Sequence, residues 1–359
     1  MPASSLQRSL LEWFDAHRRD LPWRVARSAP PGARPPAYGV LVSEAMLQQT
    51  QVAAVVPYFH RFMAALPTIE ALAAADEQVV LRLWQGLGYY SRARNLRKAA
   101  GRVVEQFGGV VPATVDELLT LPGVGRYTAG AIASIAYDTP APILDGNVVR
   151  VLCRLDRIED DPRLPAVRDR LWVRAGEIVP VLRAGDFNQS LMELGATICT
   201  PKNPSCLLCP VRRFCRAADA GVQESIPKPR PAKATPLLRR WVVCVRRADG
   251  DAYLIEQRPA TGRWAGLWQF PTLEADLTTP GAATLSAALA MPLSDVRPLT
   301  TVRHALTHRQ YVFDAFVAVA ADAPVAAPRA WATLAEMDAL PFSKPQLAIR
   351  RALADSAGQ

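Results

Sequence analysis

The segment that most constrains the fold of this chain is "SIPKPRPAKATP", residues 225–236. It contains four prolines and three cations and has very little apolar content. Proline lacks a backbone N–H and disfavours helix at the preceding residue, so the segment cannot form a helix or a central strand. It predicts an extended linker over 223–238 that joins a domain at 1–222 to a second at 239–359. A chain of 359 residues is long enough for each domain to bury its own core.

The two sides of this linker differ in their hydrophobic pattern. Before it, apolar residues recur at helical spacing between short Gly or Pro breaks, as in residues 52–63. After it, short β-branched or aromatic runs alternate with turn residues, as in "WVVCVRR", "AYLIEQR" and "YVFDAFVAVA", with one helical stretch near "AATLSAALA". The sequence therefore predicts a mainly α N-terminal domain and an α+β C-terminal domain.

Composition narrows the class of protein. Half of the residues are apolar, which excludes general disorder, and no run approaches the ~20 apolar residues of a membrane helix. The N-terminal residues are interrupted by acids and lack the apolar core of a signal peptide. We therefore expect a soluble, unexported, cytoplasmic protein with no membrane partner.

The net charge agrees with a polyanionic partner without requiring one. Lys and Arg number 42 against 33 Asp and Glu, giving +9. The densest basic run is "SRARNLRKAAGR", residues 91–102, and its simplest interpretation is a solvated helix face.

Four cysteines form a compact C-x6-C-x2-C-x5-C pattern in "CTPKNPSCLLCPVRRFC": Cys199, Cys206, Cys209 and Cys215. In a cytoplasmic chain such a set predicts a metal site rather than disulfides. The spacing does not separate tetrahedral zinc from an iron–sulfur cluster, and four protein ligands make either site structural. Lys202, in the gap between Cys199 and Cys206, is suited to contact a phosphate.

The other two cysteines, Cys153 and Cys244, lie in apolar runs and are predicted to be buried small hydrophobes.

A glycine hairpin occupies "LPGVGRYTAGAIASIAY", residues 121–137. One helix ends at Pro122, the chain turns through Gly123 and Gly125, and another helix begins. Glycines permit positive φ and expose N–H groups at the start of a helix, where a phosphate oxygen is favoured. The stretch resembles the helix-hairpin-helix element that holds DNA backbones without reading bases.

Two acids lie in apolar surroundings. Asp145 in "LDGNVV" either caps the following helix or carries chemistry, and the two roles are compatible. Glu44 in "LVSEAMLQQTQV" either begins a helix as a surface acid or is buried with a raised pKa. The adjoining "QQTQ" offers uncharged donors and acceptors that suit the base edges of an opened duplex.

These features together resemble the helix-hairpin-helix base-excision DNA glycosylases, and within them the MutY-type adenine DNA glycosylases. The similarity covers most of residues 6–222 through "LPWR", "SEAMLQQTQV", "GLGYYSRARNL", "LPGVGRYTAGAI", "FNQSLMELGA" and the four cysteines. It implies excision of adenine opposite 8-oxoguanine or guanine in duplex DNA, and a [4Fe-4S] cluster on the four cysteines. Endonuclease III-like relatives carry a nucleophilic lysine where this hairpin has Tyr127, which implies a monofunctional enzyme with little or no lyase activity.

The resemblance also implies roles for the acids and their neighbours. Glu44 protonates the leaving adenine and guides water, while ionised Asp145 stabilises the oxocarbenium-like sugar. Asn147 supports Asp145 or the deoxyribose, and Tyr127 lies against the same centre.

Further residues are assigned to the substrate by the same resemblance. Adenine recognition is expected of Arg19, Trp23, Arg24 and Gln189, although Trp23 and Gln189 have a purely structural alternative. Contacts with an opened duplex are expected of Leu47, Gln49, Thr50, Tyr89, Gly123, Gly125 and Lys202. The alternative for Tyr89 is ordinary packing at a helix end.

The second domain resembles the Nudix-like fold that this family uses to read 8-oxoguanine, through "GRWAGLWQFP". Residues 262–290 contain one glutamate, Glu274, so the glutamate array of a Nudix hydrolase is missing. In "HALTHRQY" the residues Leu306, Thr307 and His308 stand where the family usually has Phe-Ser-His. Lesion contact is expected here, with a plain surface hairpin as the alternative.

Two rival functions remain open at this point. One is another glycosylase of the superfamily, acting on mispaired thymine or oxidised pyrimidine. The other is a DNA-binding module without catalysis, which the presence of both acids disfavours.

Overall fold

The computed structural model describes residues 4–30, 32–228, 235–275, 279–306, 309–321 and 324–357. The chain divides into two compact units, Met1–Ala74 with Asn95–Pro231, and Ala75–Arg94 with Ala232–Gln359. The segment Ala75–Arg94 thus groups with the C-terminal part of the chain. The predicted linker over 223–238 stays a prediction, since residues 229–234 lie outside the described residues.

The first part of the chain is helical, as predicted. Its helices are α1 (Ser5–His17), α2 (Ala37–Leu47), α3 (Val52–Ala65), α4 (Ile69–Ala74), α5 (Glu77–Leu83), α6 (Ser91–Phe107), α7 (Val115–Leu119), α8 (Arg126–Tyr137), α9 (Gly146–Leu155), α10 (Pro165–Ile178), α11 (Ala184–Thr197) and α12 (Arg216–Asp219). Two short 3₁₀ turns, Cys206–Leu208 and Arg212–Phe214, lie before α12.

The helical unit is built around α2 and α8. Every residue of α2 from Gly39 to Met46 is buried, as is usual for a helix that is apolar on all sides. Helix α8 packs against α2 and α11, and α11 also packs against α1 and α9. This arrangement brings the start of α8, the start of α9 and the middle of α2 and α11 close together.

The second unit contains a mixed sheet of seven strands within the described residues. They are β1 (Leu237–Arg247), β2 (Ala252–Gln257), β3 (Trp268–Gln269), β4 (Thr272–Glu274), β5 (Leu293–Leu306), β6 (Arg309–Ala320) and β7 (Arg329–Thr333). The main order is β3-β2-β1-β6-β5, with β4 paired to β1 and β7 to β2. Strands β1 and β6 are parallel, and the other pairs are antiparallel.

Two helices cover the faces of this sheet: α13 (Ala282–Leu289) and α14 (Lys344–Ala357). Alternate β1 residues face opposite sides, so Val242 packs in the core that includes Ile349 of α14, and Val243 packs with Leu285 of α13. The α+β prediction is confirmed. Buried Cys244 lies in this core, and Cys153 is buried in α9, as predicted for both.

The basic run at the start of α6 is not a solvated face, because its arginines are used in packing. Arg92 is 8% exposed, with its guanidinium 5.3 Å from the Trp84 ring centroid. Arg94 donates to the carbonyl of Ala265 at 2.7 Å. The interpretation of this segment as a solvated helix face was therefore wrong at these two positions.

No helix among the described residues combines the length and the apolar character that a membrane span requires.

Candidate active site

A cavity of about 170 Å³ lies in the helical unit between α2, α8, α11, the start of α9 and the loop before Trp23. The predicted catalytic and substrate-binding residues all line it, together with two of the predicted DNA contacts: Arg19, Trp23, Arg24, Glu44, Leu47, Thr50, Tyr127, Asp145, Asn147 and Gln189. Residues distant in the sequence therefore share one site.

Glu44 is buried in the third turn of α2, with 4% of its surface exposed. The alternative in which it begins a helix at the surface is wrong, because α2 starts at Ala37. Burial raises the pKa of Glu44 to about 7; the hydroxyl of Tyr127 opposes this and the charge of Asp145 adds to it. Its Oε2 atom has no hydrogen-bond partner among the described residues. A buried carboxyl in this setting can hold a proton near neutral pH.

Asp145 caps α9 and faces the cavity at the same time. Its Oδ1 accepts from the backbone N–H of Val148 at 2.7 Å, and its Oδ2 accepts from Nδ2 of Asn147 at 2.9 Å. Burial raises the pKa of Asp145, while these hydrogen bonds and the charge of Arg150 oppose the rise. The capping interpretation is thus confirmed, and the cap fixes the carboxylate at the cavity wall.

Arg150 fixes the orientation of Asn147, and sequence reasoning missed it. Its Nη2 donates to Oδ1 of Asn147 at 2.9 Å and to the carbonyl of Gly195 at 2.6 Å, and its Nε donates to the carbonyl of Cys199 at 2.7 Å. A Cβ on Gly195 would lie 2.6 Å from the Cβ of Asn147, so α11 reaches this position only as glycine. The side chain that supports Asp145 is therefore held from two sides.

Tyr127, the second residue of α8, brings a phenol into the cavity. Its hydroxyl donates to Sδ of Met192 at 3.2 Å and also interacts with Glu44. Burial, with the charges of Glu44 and Asp145, raises its pKa well above the ordinary value. The phenol is thus neutral near physiological pH.

A buried carboxylate, Glu193, joins the two predicted arginines, and this residue was also missed from the sequence. Its Oε1 accepts from Nε of Arg19 at 2.6 Å and its Oε2 from Nη2 of Arg24 at 2.9 Å. Burial alone would raise the pKa of Glu193, but the two arginines outweigh it and lower the pKa. An acid four residues after Gln189 on an apolar helix was the available signal.

Trp23 and Gln189 have structural contacts and also face the cavity. The Trp23 ring packs edge-on against Phe59, with centroids 5.4 Å apart, and Gln189 donates to the carbonyl of Gly185 at 3.3 Å. Both are largely buried. The structural interpretation of these two residues is confirmed, and their substrate-binding role stays a prediction.

The predicted hairpin consists of α7, a turn and α8. Gly123 has φ of +80°, and a Cβ there would lie 2.7 Å from the Cβ of Asn95, so both backbone conformation and space require glycine. Gly125 is the N-cap of α8. The hairpin places Tyr127 one turn from its tip.

The four cysteines of the C-x6-C-x2-C-x5-C pattern lie in the segment between α11 and α12. All four are free, and Lys202 is exposed in the same loop. Burial, followed by the charges of the other three, raises the pKa of Cys209 to about 11. Arg154 donates to Sγ of Cys199 at 3.3 Å and to the carbonyl of Thr200 at 2.7 Å. Within the described residues no group of three or more His, Cys, Asp or Glu side chains is arranged to hold a metal ion.

Two further predicted DNA contacts lie at exposed turns. Gln49 follows α2 with φ of 57°, and Tyr89 is 44% exposed with φ of 47°. Within the second unit, Tyr89 and Leu306 line a cavity of about 580 Å³ with Trp264 and His304. Leu306 ends β5, and Thr307 and His308 lie outside the described residues.

Two family models match the chain. The model of the HhH-GPD superfamily base excision DNA repair proteins matches residues 42–176, which include both acids and the hairpin. The NUDIX domain model matches residues 241–352, which include most of the sheet. The C-terminal unit is therefore Nudix-like.

Similar curated proteins identify the family within this superfamily more narrowly. The adenine DNA glycosylase of Rattus norvegicus is 40% identical over 87% of this chain and 70% of its own length. The chain belongs to the adenine DNA glycosylase family. The Homo sapiens member is 40% identical over 86% of the chain and 66% of its own length, so the chain spans about two thirds of these mammalian relatives. A member from Buchnera aphidicola is 35% identical over 75% of each.

A solved structure supports the fold of the helical part. A thermostable thymine-DNA glycosylase matches with a TM-score of 0.51 and 28% identity, over 60% of this chain and 95% of that one. Together with the family model, this makes the chain a DNA glycosylase of base excision repair.

Proposed function

We propose that this protein is a monofunctional adenine DNA glycosylase that removes adenine paired with 8-oxoguanine or guanine from duplex DNA. The observation that carries the proposal is that Glu44 and Asp145, 101 positions apart in the sequence, line one cavity. Breaking an N-glycosidic bond requires one carboxyl that gives a proton and one carboxylate that stabilises positive charge. Adenine is proposed as the base because the similar curated proteins are adenine DNA glycosylases.

The chemistry follows from the environments of the two acids. Glu44, protonated through burial, gives its proton to N7 of adenine, and the C1′–N9 bond breaks with its electron pair passing to the base. Asp145, whose hydrogen-bond donors favour the ionised form against the effect of burial, is assigned to stabilise the sugar cation. Water then adds to C1′ and its proton returns to a carboxylate, which balances the hydrolysis.

Adenine recognition is assigned to the polar wall made by Arg24, Glu193 and Gln189. Adenine presents both a donor, its N6 amino group, and ring nitrogen acceptors. A carboxylate, a guanidinium and an amide on one wall match both kinds of group. The Arg24 side chain is only 8% exposed and lies 2.9 Å from the carboxylate of Glu193. This buried ion pair holds the carboxylate in place.

The identity of Tyr127 at the hairpin position supports the monofunctional part of the proposal. A lyase of this superfamily attacks the sugar with a lysine amine, and Tyr127 stands at that position. Its buried phenol has a raised pKa and cannot form a Schiff base. Water is therefore the nucleophile.

The base must leave the duplex before it reaches the cavity, which costs least at a mispair. Gln49 and Tyr89, exposed on turns with positive φ, are assigned to the opened stack, and Gly123, Gly125 and Lys202 to the phosphates. The Nudix-like unit, with Leu306 and the neighbouring Thr307 and His308, is assigned to the opposite base. We propose that the enzyme acts as a monomer on chromosomal DNA in the cytoplasm.

Four thiolates suit either a [4Fe-4S] cluster or zinc, and the similarity to the base-excision glycosylases favours the cluster. The charges of the other three thiols add to burial in raising the pKa of Cys209, so the four side chains are near one another. Cys199, Cys206, Cys209 and Cys215 would hold the cluster, which would supply a rigid cross-link for the loop that carries Lys202.

A panel of duplexes tests the proposal. Single-turnover base release is measured for adenine opposite 8-oxoguanine, adenine opposite guanine, thymine opposite guanine and an oxidised pyrimidine. We expect release of adenine alone, with no covalent DNA adduct on borohydride treatment. Release of thymine or oxidised pyrimidine with adenine intact would contradict the substrate, and borohydride trapping would contradict the monofunctional mechanism.

A further inference from the structure

The hydroxyl of Tyr127 has one hydrogen and two neighbours that can accept it. The phenol oxygen lies 3.2 Å from Sδ of Met192, a distance at which the hydroxyl can donate to the sulfur. Glu44, which also interacts with this hydroxyl, keeps a buried Oε2 atom with no partner in the described residues. The wall of the cavity therefore contains a sulfur acceptor, a phenol and a carboxyl that compete for one hydrogen.

We propose that Met192 is a positioning residue that turns the Tyr127 hydroxyl so that its oxygen accepts the proton of Glu44. When the hydrogen of the phenol is directed at the sulfur, the lone pairs of the phenol oxygen are free to face the carboxyl. A protonated Glu44 then donates to Tyr127, which donates to Met192, in an unbroken chain. The inference deepens the proposed function and rests on it, since Glu44 is the acid of that reaction.

The same geometry disfavours the ionised acid. A carboxylate at Glu44 would need the phenol hydrogen for itself, and this would break the contact with sulfur. A thioether is a weak acceptor, so its contribution is smaller than that of an ordinary hydrogen bond. The sulfur thus favours the form of Glu44 that delivers a proton.

Other charged groups face this chain of contacts from every neighbouring element. They are Asp145 at the start of α9, Glu193 on α11, and Arg19 and Arg24 in the loop before α2. An exchange of Met192 for leucine leaves all four in place and conserves volume, which cores tolerate well. The comparison therefore isolates the sulfur.

The experiment is the pH profile of single-turnover adenine release by full-length wild-type protein and Met192→Leu. Loss of the acceptor should free the phenol to donate to the carboxylate, so the alkaline limb should move to lower pH by about half a unit. A limb that stays in place, or moves to higher pH, would overturn the inference. If the wild type released no adenine at all, the proposed function would fail instead.

Two further variants separate the sulfur from general packing. In a Tyr127→Phe background, Met192→Leu should leave the limb unmoved, because no hydroxyl remains to be turned. Leu191→Met, the reverse exchange at the neighbouring buried position of α11, should also leave it unmoved. An equal shift in the Tyr127→Phe background would show that Met192 acts through packing and would overturn the inference.

Discussion

Asn147 donates from Nδ2 to Oδ2 of Asp145 at 2.9 Å, two residues along the same first turn of α9. The other oxygen of Asp145 is used by the backbone N–H of Val148. Both carboxylate oxygens are thus fixed by donors from the helix that the residue begins, and the charge is held at one place on the cavity wall.

Asp145→Asn should abolish measurable adenine release while keeping the fold. Asparagine is as good an N-cap as aspartate, so α9 should still begin here, but no negative charge remains to stabilise the sugar cation. Base release and duplex binding are measured on the same preparation. Retained release would contradict the assigned role, and matched loss of binding would point to misfolding.

The rate of adenine release should fall as the pH rises through about 7. Burial raises the pKa of Glu44 to about 7, so the protonated, active acid is present below that pH and is lost above it. Single-turnover rates across a pH series measure this limb. Glu44→Gln should reduce the rate by roughly 10²–10⁴-fold and remove the limb. A flat profile in the wild type would contradict the assignment of the acid.

Gly195→Ala should lower both stability and the rate of base release. The new Cβ would lie 2.6 Å from the Cβ of Asn147, so α11 or Asn147 must move. Overpacking of this kind costs about 1–3 kcal/mol in the free energy of unfolding. Gly101→Ala is the matched control, because nothing lies within 4 Å of its Cβ and it is in the helix α6. It should raise stability by up to about 1 kcal/mol in denaturant unfolding.

Glu193→Gln should destabilise the protein by roughly 3 kcal/mol, since it leaves the buried guanidinium of Arg24 without a counter-charge. The lowered pKa of Glu193 means that its contribution is present above the ordinary carboxyl pKa and is lost as pH falls. Denaturant unfolding at neutral and acidic pH checks both statements.

The matched control is Glu177→Gln, whose ion pair with Arg174 is half-exposed and worth less than about 1 kcal/mol. Equal losses for Glu193→Gln and Glu177→Gln would contradict the assignment of a buried, charge-paired site.

Cys209→Ser should remove iron, inorganic sulfide and visible colour from the purified protein and weaken duplex binding, because the loop with Lys202 loses its cross-link. Cys153→Ala, in buried α9, should keep all three. Metal analysis and binding titrations measure the outcome. A colourless wild type that contains zinc would show that the cluster prediction is wrong.

The sequence revealed the acids because each stands out against its neighbours. Glu44 and Asp145 are charges inside apolar runs, and the glycine hairpin is recognisable from the whole of the stretch "LPGVGRYTA". Arg150, Met192 and Glu193 gave weaker signals, since each resembles an ordinary helix residue. Their roles depend on which helix lies opposite, and that is decided by packing between elements far apart in the sequence.

In the second unit, too, only some of the elements could be predicted from the sequence. The β-branched runs of β1 and β6 were predictable, but β5 was not. Pro298 lies within it, its register shifts around Arg297 and Thr300, and all of its residues are partly or fully exposed. Edge strands tolerate proline and bulges because one side needs no partner. Helix α14 was missed although Ile349 and Leu353 have helical spacing and are buried.

The double use of Asp145 has a wider consequence. A carboxylate free to rotate would adopt several orientations, whereas this one is oriented by the main chain of α9. Its orientation is therefore set as soon as the helix forms, before any nucleotide enters the cavity in the proposed reaction.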